Sequence, residues 1–471
     1  MQADVIVAGA GLAGLSCARA LAAEGLRVVV VESSTVAGGR ARSWKDPGTG
    51  ETVDIGPHVA LNKYANFLAL LDAVGTRDQI YWHTEKLLTV VDQGRRLPIR
   101  IAPLPAPLHW LRGLPQVLRS ATLLQLLSNL RVAWEAARSN ESDLLALDAM
   151  SARDYLNRRG VSRDFADWLW ASASMALLNV PLEQCSAASL VRLAGQMMGQ
   201  RDVAFGFPTA GLSDLYVPGC IEAIEAAGGE VLYDSAAAEL LREQGDVDGL
   251  RLRDGRVLRA KDCVLALPPA ELATLLPDHP VGRDAGRFKG SPYVSCYLWF
   301  DRKLGEEPFW ALPWSPRRYN TDFYDLSVIR GRNGGSLVAT NIIWSHRAAG
   351  MDDKEIIAAT IAEIAEFAPA VKQARLLAHA VHRIPMSIPC PEPGTEALRP
   401  GTRDVQGVYL AGDWTRTGLP SCMESAARSG ALAAQALLAD RGMPRQLALP
   451  VPQPQGLVRW LRRPDRGLAP V

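Results

Sequence analysis

The sequence predicts an α/β chain: one nucleotide-binding domain, split along the sequence, with an α+β domain inserted into it. Three observations predict this. Residues 4–8, DVIVA, are a short β-branched apolar run that reads as a buried parallel strand. GAGLAG (9–14) follows and opens LSCARALAAEG, whose apolar residues recur at helical spacing up to Gly25. A second strand–turn–helix joint, VYLAGDWTRTGLPSCMESAARSG, stands at 408–430, close to the other end.

Taken in order, residues 26–32, LRVVVVE, are the next strand, which completes a βαβ unit of about 30 residues. Further strands are expected at 229–234, at 247–253 with 257–260 as a hairpin around Asp254-Gly255, and at 262–267. The last strand is expected at 407–412, followed by a helix over roughly 421–439. Two long segments interrupt this series. The segment 86–211 is rich in Leu and Trp and reads as mostly helical. The segment 291–384 holds the strand-like runs YVSCYLWF and SLVATNIIW and an amphipathic helix near 353–368. The expected division is therefore nucleotide domain at 1–85, 212–290 and 385–445, and substrate domain at 86–211 and 291–384. The tail 446–471 is rich in Pro and Arg and is expected to be poorly ordered.

With 471 residues the chain is long enough for two domains and a large core. A net charge of +1 creates no global field for nucleic acid or an acidic substrate. Seven scattered cysteines, with no CxxC and no His/Cys cluster, argue against a disulfide framework or a metal site and for a reducing, cytoplasmic setting. No run of 18 apolar residues exists, and the N-terminus has no basic region of a signal peptide.

In Gly9-x-Gly11-x-x-Gly14, the first glycine permits the tight turn, the second lets a pyrophosphate approach the backbone, and the third lets helix pack on strand. Leu12 and Ala13 open the helix, whose free N–H groups and dipole favour negative charge. Glu32 ends the next strand, where its carboxylate suits both ribose hydroxyls and repels a 2′-phosphate. Downstream, Gly38-Gly39-Arg40-Ala41-Arg42 offers close backbone approach and an arginine clamp for a diphosphate. The combination favours FAD, because an NAD enzyme has no need of a second clamp here.

Glu32, GGRAR and LAGDWTRTGLPSCMESAARSG together resemble the FAD-dependent amine oxidase and phytoene desaturase superfamily, with matching motifs over about 4–60 and 407–438. The resemblance makes the fold a discontinuous, Rossmann-like FAD-binding domain with an inserted α+β substrate domain. It implies that the C-terminal joint returns to the same flavin. Gly412 and Asp413 would then bind the ribityl or pyrophosphate region, and the helix from Met423 would aim its N-terminus at the ring. In the same way Val231 would contact the adenine side through its backbone. Gly56 and His58 lie in DIGPH (54–58); His58 is either close to the flavin or a structural histidine in a turn.

Within the superfamily, three stretches look like squalene- and carotenoid-type desaturases: 102–115, 172–190 and 393–400. The first two, with GDWTRTGLP, look most like the hydroxysqualene dehydroxylase group, while DIGPH departs from that group's Asp-Asn-Gly-Gln-His. Reductive dehydroxylation of hydroxysqualene to squalene is the leading expectation. Carotenoid desaturation, amine oxidation and a non-catalytic flavin-binding scaffold in an isoprenoid complex are the alternatives. Amine oxidation is disfavoured because SPYVSCYLWFDRK (291–303) has no lysine before Lys303 and no covalent-flavin cysteine motif precedes the last joint. No side chain is assigned as catalytic beyond His58, and the electron partner is left open.

A lipophilic isoprenoid also fits the segment 93–134, which holds six arginines, no acidic residue, many leucines, Trp110 and Trp134. A basic, apolar helix pair of this kind lies either in a membrane interface, on the inner face, or over the core as a lid. The tail GLVRWLRRPDR (456–466) reads either as a further anchor or as a disordered end.

Overall fold

The computed structural model describes residues 3–464. Its first sheet is five-stranded and wholly parallel, in the order Glu230–Leu232, Val28–Val31, Val5–Ala8, Asp262–Leu265, Val408–Leu410. The four-residue strands VIVA and VVVV are buried throughout because helices and a smaller sheet cover both faces. Helix Leu12–Ala23 and helix Met423–Asp440 pack side by side on one face. Their contact is close, since a Cβ on Gly430 would overlap the Ala13 carbonyl oxygen. The Ser16 hydroxyl donates to the Ala427 carbonyl across it, 411 residues along the chain. The opposite face carries the antiparallel sheet Ala237–Glu243, Asp246–Leu252, Val257–Arg259.

A seven-stranded sheet forms the second layer system, in the order Leu376–Pro389, Gly290–Phe300, Leu337–Ile343, Asp322–Asp325, Phe309–Ala311, Leu88–Asp92, Arg95–Ile99. Helix Asp353–Phe367 covers one face, around Val294, Cys296 and Ile364. The helices between Leu123 and Gly199 gather around a separate core that includes Tyr155, Phe165 and Leu190. Among the described residues no helix is long and apolar enough to cross a membrane.

Some expectations need correction. The segment 86–211 is not helical at its start. Residues Leu88–Asp92 and Arg95–Ile99 form a hairpin that joins the seven-stranded sheet. Its turn uses Gln93 and Gly94, both at positive φ, which suits the right-handed twist of the strands. The expected helix pair in 93–134 is a chain of short pieces, Leu108–Gly113, Leu114–Val117, Leu123–Ser128 and Leu130–Arg138.

The tail is not loose over its described part, 446–464. The Gln455, Leu457 and Arg463 amides donate to the carbonyls of Gly199, Ala106 and Arg138. Val458 is buried between Ala106 and Ala137. Burying an apolar residue and pairing backbone groups with protein rather than water orders this stretch. Residues 465 and 466, the end of the basic run, lie outside the described residues.

Candidate functional site

The glycine turn begins at Gly9, which adopts φ +103° and packs so tightly that a Cβ there would sit 2.5 Å from the Ala266 carbonyl oxygen. A Cβ on Gly14 would overlap the Gly9 carbonyl oxygen, so helix and turn touch backbone to backbone. The GGRAR loop is drawn against this turn. The Gly38 amide donates to the Ala10 carbonyl, and a Cβ on Gly39 would meet the Gly11 Cα at 3.2 Å. Tyr216 pins the loop from below, its hydroxyl donating to the Gly38 and Ala41 carbonyls.

Glu32 is held at the wall by the Ala10 amide on one oxygen (2.8 Å) and the Ser34 amide on the other (2.9 Å). The Ser33 hydroxyl also donates to the oxygen that Ser34 holds, at 3.2 Å, so of the carboxylate's roughly four acceptor sites the free capacity for a ribose hydroxyl is on the oxygen bound by Ala10. Arg40 reaches across 373 residues to Asp413 and pairs with it in a two-pronged geometry, at 2.6 and 3.2 Å. The ends of the chain therefore meet in one charged contact at the cavity wall. Beyond Asp413, Cys422 precedes helix Met423–Asp440, and the wall includes Ser421, Cys422 and Met423. Glu424 turns away and caps helix Ala65–Ala73, accepting from the amides of Asn66 and Phe67.

A cavity of about 1360 Å³ runs past all of these groups and on between the helical lobe and the seven-stranded sheet. Its volume exceeds the roughly 300–1,000 Å³ of an ordinary small-ligand pocket. Of the residues expected at the site, Gly9, Gly11, Leu12, Ala13, Glu32, Gly39, Arg40, His58, Gly412, Asp413 and Met423 line it. Gly14, Gly56 and Val231 do not. Gly14 serves the helix–turn contact. Gly56 gives room to Tyr293 and Asn341, since a Cβ there would meet the Tyr293 hydroxyl at 2.6 Å. Val231 sits in the sheet opposite Val30, and Ser235–Ala238 form the wall on that side.

His58 Nδ1 donates to the Gly56 carbonyl at 2.6 Å, and burial pulls its pKa down, so the ring stays neutral and turn-bound at the cavity edge. Burial pushes the Cys422 thiol up to about 12, so it is not a thiolate. The chamber beyond is walled by Trp168, Leu169, Leu177, Met197 and Ile343. Its polar members include Asn179, Tyr293, Asp322, Tyr324 and Asn341, none of which the sequence singles out as a site residue. Asn341 was visible only as a lone amide inside the apolar run SLVATNIIW.

A glycine turn with no room for a Cβ at Gly9 or Gly14, a fixed carboxylate and two helix N-termini suit the adenine, diphosphate and ring of a flavin dinucleotide. Joined to an apolar chamber, they define a flavoprotein oxidoreductase. The chain belongs to the flavin-containing amine oxidoreductase family, whose model matches residues 12–438. It is an FAD-dependent oxidoreductase with a Rossmann-like nucleotide domain. The 15-cis-phytoene desaturase (chloroplastic/chromoplastic) of Solanum lycopersicum is 29% identical over 464 residues, covering 93% of this chain and 78% of the relative. The hydroxysqualene dehydroxylase of Sinorhizobium fredii is 26% identical over 472 residues, covering 93% and 99%. The solved structure of cyclohexylamine oxidase from Brevibacterium oxydans IH-35A matches with a TM-score of 0.69 at 19% identity, covering 94% and 100%; this likeness concerns the fold.

Proposed function

We propose that the chain acts on a long isoprenoid held in the chamber, by reductive dehydroxylation of hydroxysqualene to squalene. One observation carries the isoprenoid reading. The cavity that starts at the glycine turn continues into the apolar chamber and reaches the surface at Leu108 and Leu111, which line it while remaining 40% and 52% exposed. Around this mouth Leu118, Leu123, Leu124, Leu127, Leu130 and Trp134 face outward, interleaved with exposed Arg112, Arg119 and Arg131. Apolar side chains beside arginines suit the interface of an anionic bilayer, where such a substrate dissolves. Each buried methylene contributes about 0.8 kcal/mol, so an apolar wall binds a long hydrocarbon chain without polar handles.

When bound, FAD supplies hydride exchange at N5. The protein's part is placement. Gly9, Gly11 and Glu32 would hold the dinucleotide, and the N-terminus of helix Met423–Asp440 would stabilise negative charge on the reduced ring. Trp168 and Leu169, on the π-helical turn Ala166–Ala171, would keep water from the reacting carbon. Dehydroxylation is supported by where the resemblance falls. Pro107, Trp110 and Leu114 of the 102–115 stretch, and Ala173, Ala176 and Asn179 of the 172–190 stretch, all line the cavity. Carotenoid desaturation is the second reading, favoured by the phytoene desaturase relatives. Among the described residues no lysine lines the cavity, which leaves amine oxidation without its expected group.

Anaerobic incubation of the flavoprotein with reduced FAD and hydroxysqualene is expected to yield squalene, detected by gas chromatography. Phytoene that bleaches the oxidised flavin and gains conjugation, with hydroxysqualene left intact, would overturn this reading. The protein is expected to co-sediment with phosphatidylglycerol vesicles in low salt, and Leu124→Glu with Leu127→Glu to weaken that at unchanged melting temperature. Absence of co-sedimentation by the unmodified protein removes the membrane contact.

A further inference from the structure

The chamber wall is apolar along most of its length, but one row of the seven-stranded sheet is not. Strand Asp322–Asp325 pairs with strand Leu337–Ile343, with Phe323 opposite Thr340 and Tyr324 opposite Ala339. Side chains alternate between the two faces of a strand. Phe323 accordingly packs into the core behind the sheet, while Asp322, Tyr324 and Asn341 line the cavity. One step beyond the Phe323–Thr340 pair, Asp322 and Asn341 are cross-strand neighbours on the chamber face.

Asp322 is 4% exposed. Its carboxyl receives the Thr321 hydroxyl at 2.9 Å and bonds the Tyr324 hydroxyl, and among the described residues no cation acts on it. Asn341 donates to the Pro57 carbonyl at 3.3 Å, which ties it to the loop that holds His58, and its buried Oδ1 has no partner among the described residues. Asp325, on the same strand, is the instructive contrast. It is as buried as Asp322, but it accepts from the Ser327 and Val328 amides and the Ser336 hydroxyl, capping helix Leu326–Ile329. Asp325 is spent on structure, whereas Asp322 keeps acceptor capacity and faces the chamber.

A chamber for a pure hydrocarbon gains nothing from a buried carboxyl beside an open amide oxygen, since a buried polar group without a matching partner loses the hydrogen bonds it would make to water. An alcohol matches both. Its O–H donates to Asn341 Oδ1, and its oxygen accepts from a protonated carboxyl at Asp322.

We propose that Asp322, with Asn341 beside it, holds the hydroxyl of an isoprenoid alcohol and gives it the proton with which it leaves as water. This rests on the dehydroxylation reading above. The C–O bond breaks, its electron pair goes to oxygen, and the proton from Asp322 completes the water molecule. The carbon left behind accepts hydride, so alcohol, proton and hydride give hydrocarbon and water; the hydride donor is a reduced flavin. Burial raises the Asp322 pKa to about 6, which keeps a protonated fraction near neutrality. Among the described residues the titratable group that acts on it is Tyr324 on its own strand, kept neutral by burial.

The test is equilibrium binding to the oxidised, FAD-loaded protein, in which dehydroxylation does not turn over. Hydroxysqualene and squalene are compared by quenching of tryptophan fluorescence. The unmodified protein is expected to prefer the alcohol at least tenfold, and Asp322→Leu to lose that preference with squalene affinity unchanged. Asp322→Asn keeps shape and hydrogen bonding, so it is expected to retain the alcohol within a few fold while single-turnover dehydroxylation falls by about 10²–10⁴. FAD content and melting temperature show that each variant is folded. Alcohol preference intact in Asp322→Leu, or full turnover in Asp322→Asn, overturns the role of Asp322 and leaves dehydroxylation standing. No preference in the unmodified protein, with tight phytoene binding, overturns dehydroxylation itself.

Discussion

At the nucleotide end the cavity wall is mostly backbone. Gly9, Gly11 and Gly39 bring chain to chain with no room for a Cβ at Gly9, and the polar groups, Glu32, Arg40 and Asp413, are each paired. At the chamber end the wall is side chain, large and apolar, with one carboxyl that has no cationic partner among the described residues. The first end recognises a ligand whose charges and hydroxyls are known positions in space. The second, on the proposed reading, would take a flexible hydrocarbon by exclusion of water, and its polar side chains are few. Tolerance to change therefore differs between them: a substitution at the first end meets a steric wall, while one at the second meets a choice of substrate.

The steric wall should be felt most severely at Gly9. Gly9→Val must place a side chain at φ +103° and push it against the Ala266 carbonyl. Purified Gly9→Val protein is expected to lose at least a hundredfold in FAD affinity, read as loss of flavin absorbance after gel filtration; a full flavin complement would show that the turn is not the cradle.

Next in size is a buried ion pair that ties the helical lobe to the segment leading into strand Val408–Leu410. Arg192, in the helical lobe, pairs with Glu396 at 2.5 Å and with Glu141 at 2.7 Å, and both Arg192 and Glu396 are buried. Burial alone would raise the Glu396 pKa, but Arg192 and Arg399 outweigh it and hold it at about 2. Arg192→Leu strands a buried carboxylate, so urea melts at pH 7 are expected to show a loss of about 3 kcal/mol. A folded-state pKa below the unfolded one contributes stability that is present above about pH 4.5 and lost as pH falls toward 2. The gap between variant and parent should therefore narrow below pH 4.5 and close near pH 2; an equal gap at pH 7 and pH 2 would mean that charge is not the cause.

At the first end, Glu32→Ala removes a charged acceptor from the ribose, and isothermal titration should show FAD affinity reduced by about 1.5–3 kcal/mol. The smallest effect comes from the chamber side, and its sign is opposite. The folded-state pKa of Asp322 is raised, so ionisation destabilises the fold as pH rises from about 4 through 6. Asp322→Asn is expected to stabilise the protein by roughly 1–3 kcal/mol at pH 7.5, since each tenfold change in proton affinity between the unfolded and folded states is worth about 1.4 kcal/mol. The gain should vanish near pH 4. Destabilisation at pH 7.5 would place Asp322 among structural carboxyls such as Asp325.

Much of the nucleotide end could be read from residues alone because its determinants are local. Gly9, Gly11 and Gly14 act through backbone within one turn, and the buried strands VIVA and VVVV announce themselves by unbroken apolar runs. The hairpin Leu88–Ile99 was hidden because its place is set by pairing with Phe309–Ala311, more than 200 residues away. For a similar reason the sequence shows the strand of Val231 but not which of its neighbours lines the cavity, since that depends on what packs above it; here Ser235–Ala238 do. The tail reads as loose because Pro and Arg dominate it, whereas Val458 and three backbone amides find partners on the helical lobe.

The order of residues was enough to point to a nucleotide-binding fold and, through Glu32 combined with the second clamp GGRAR, to FAD as the dinucleotide. Folding in three dimensions was needed to bring Arg40 to Asp413, to make one cavity serve both ends, and to stand Asp322 beside Asn341. Those are long-range pairings. They depend on sheet register and on which face of a strand looks inward, and neither is written in any short run of residues.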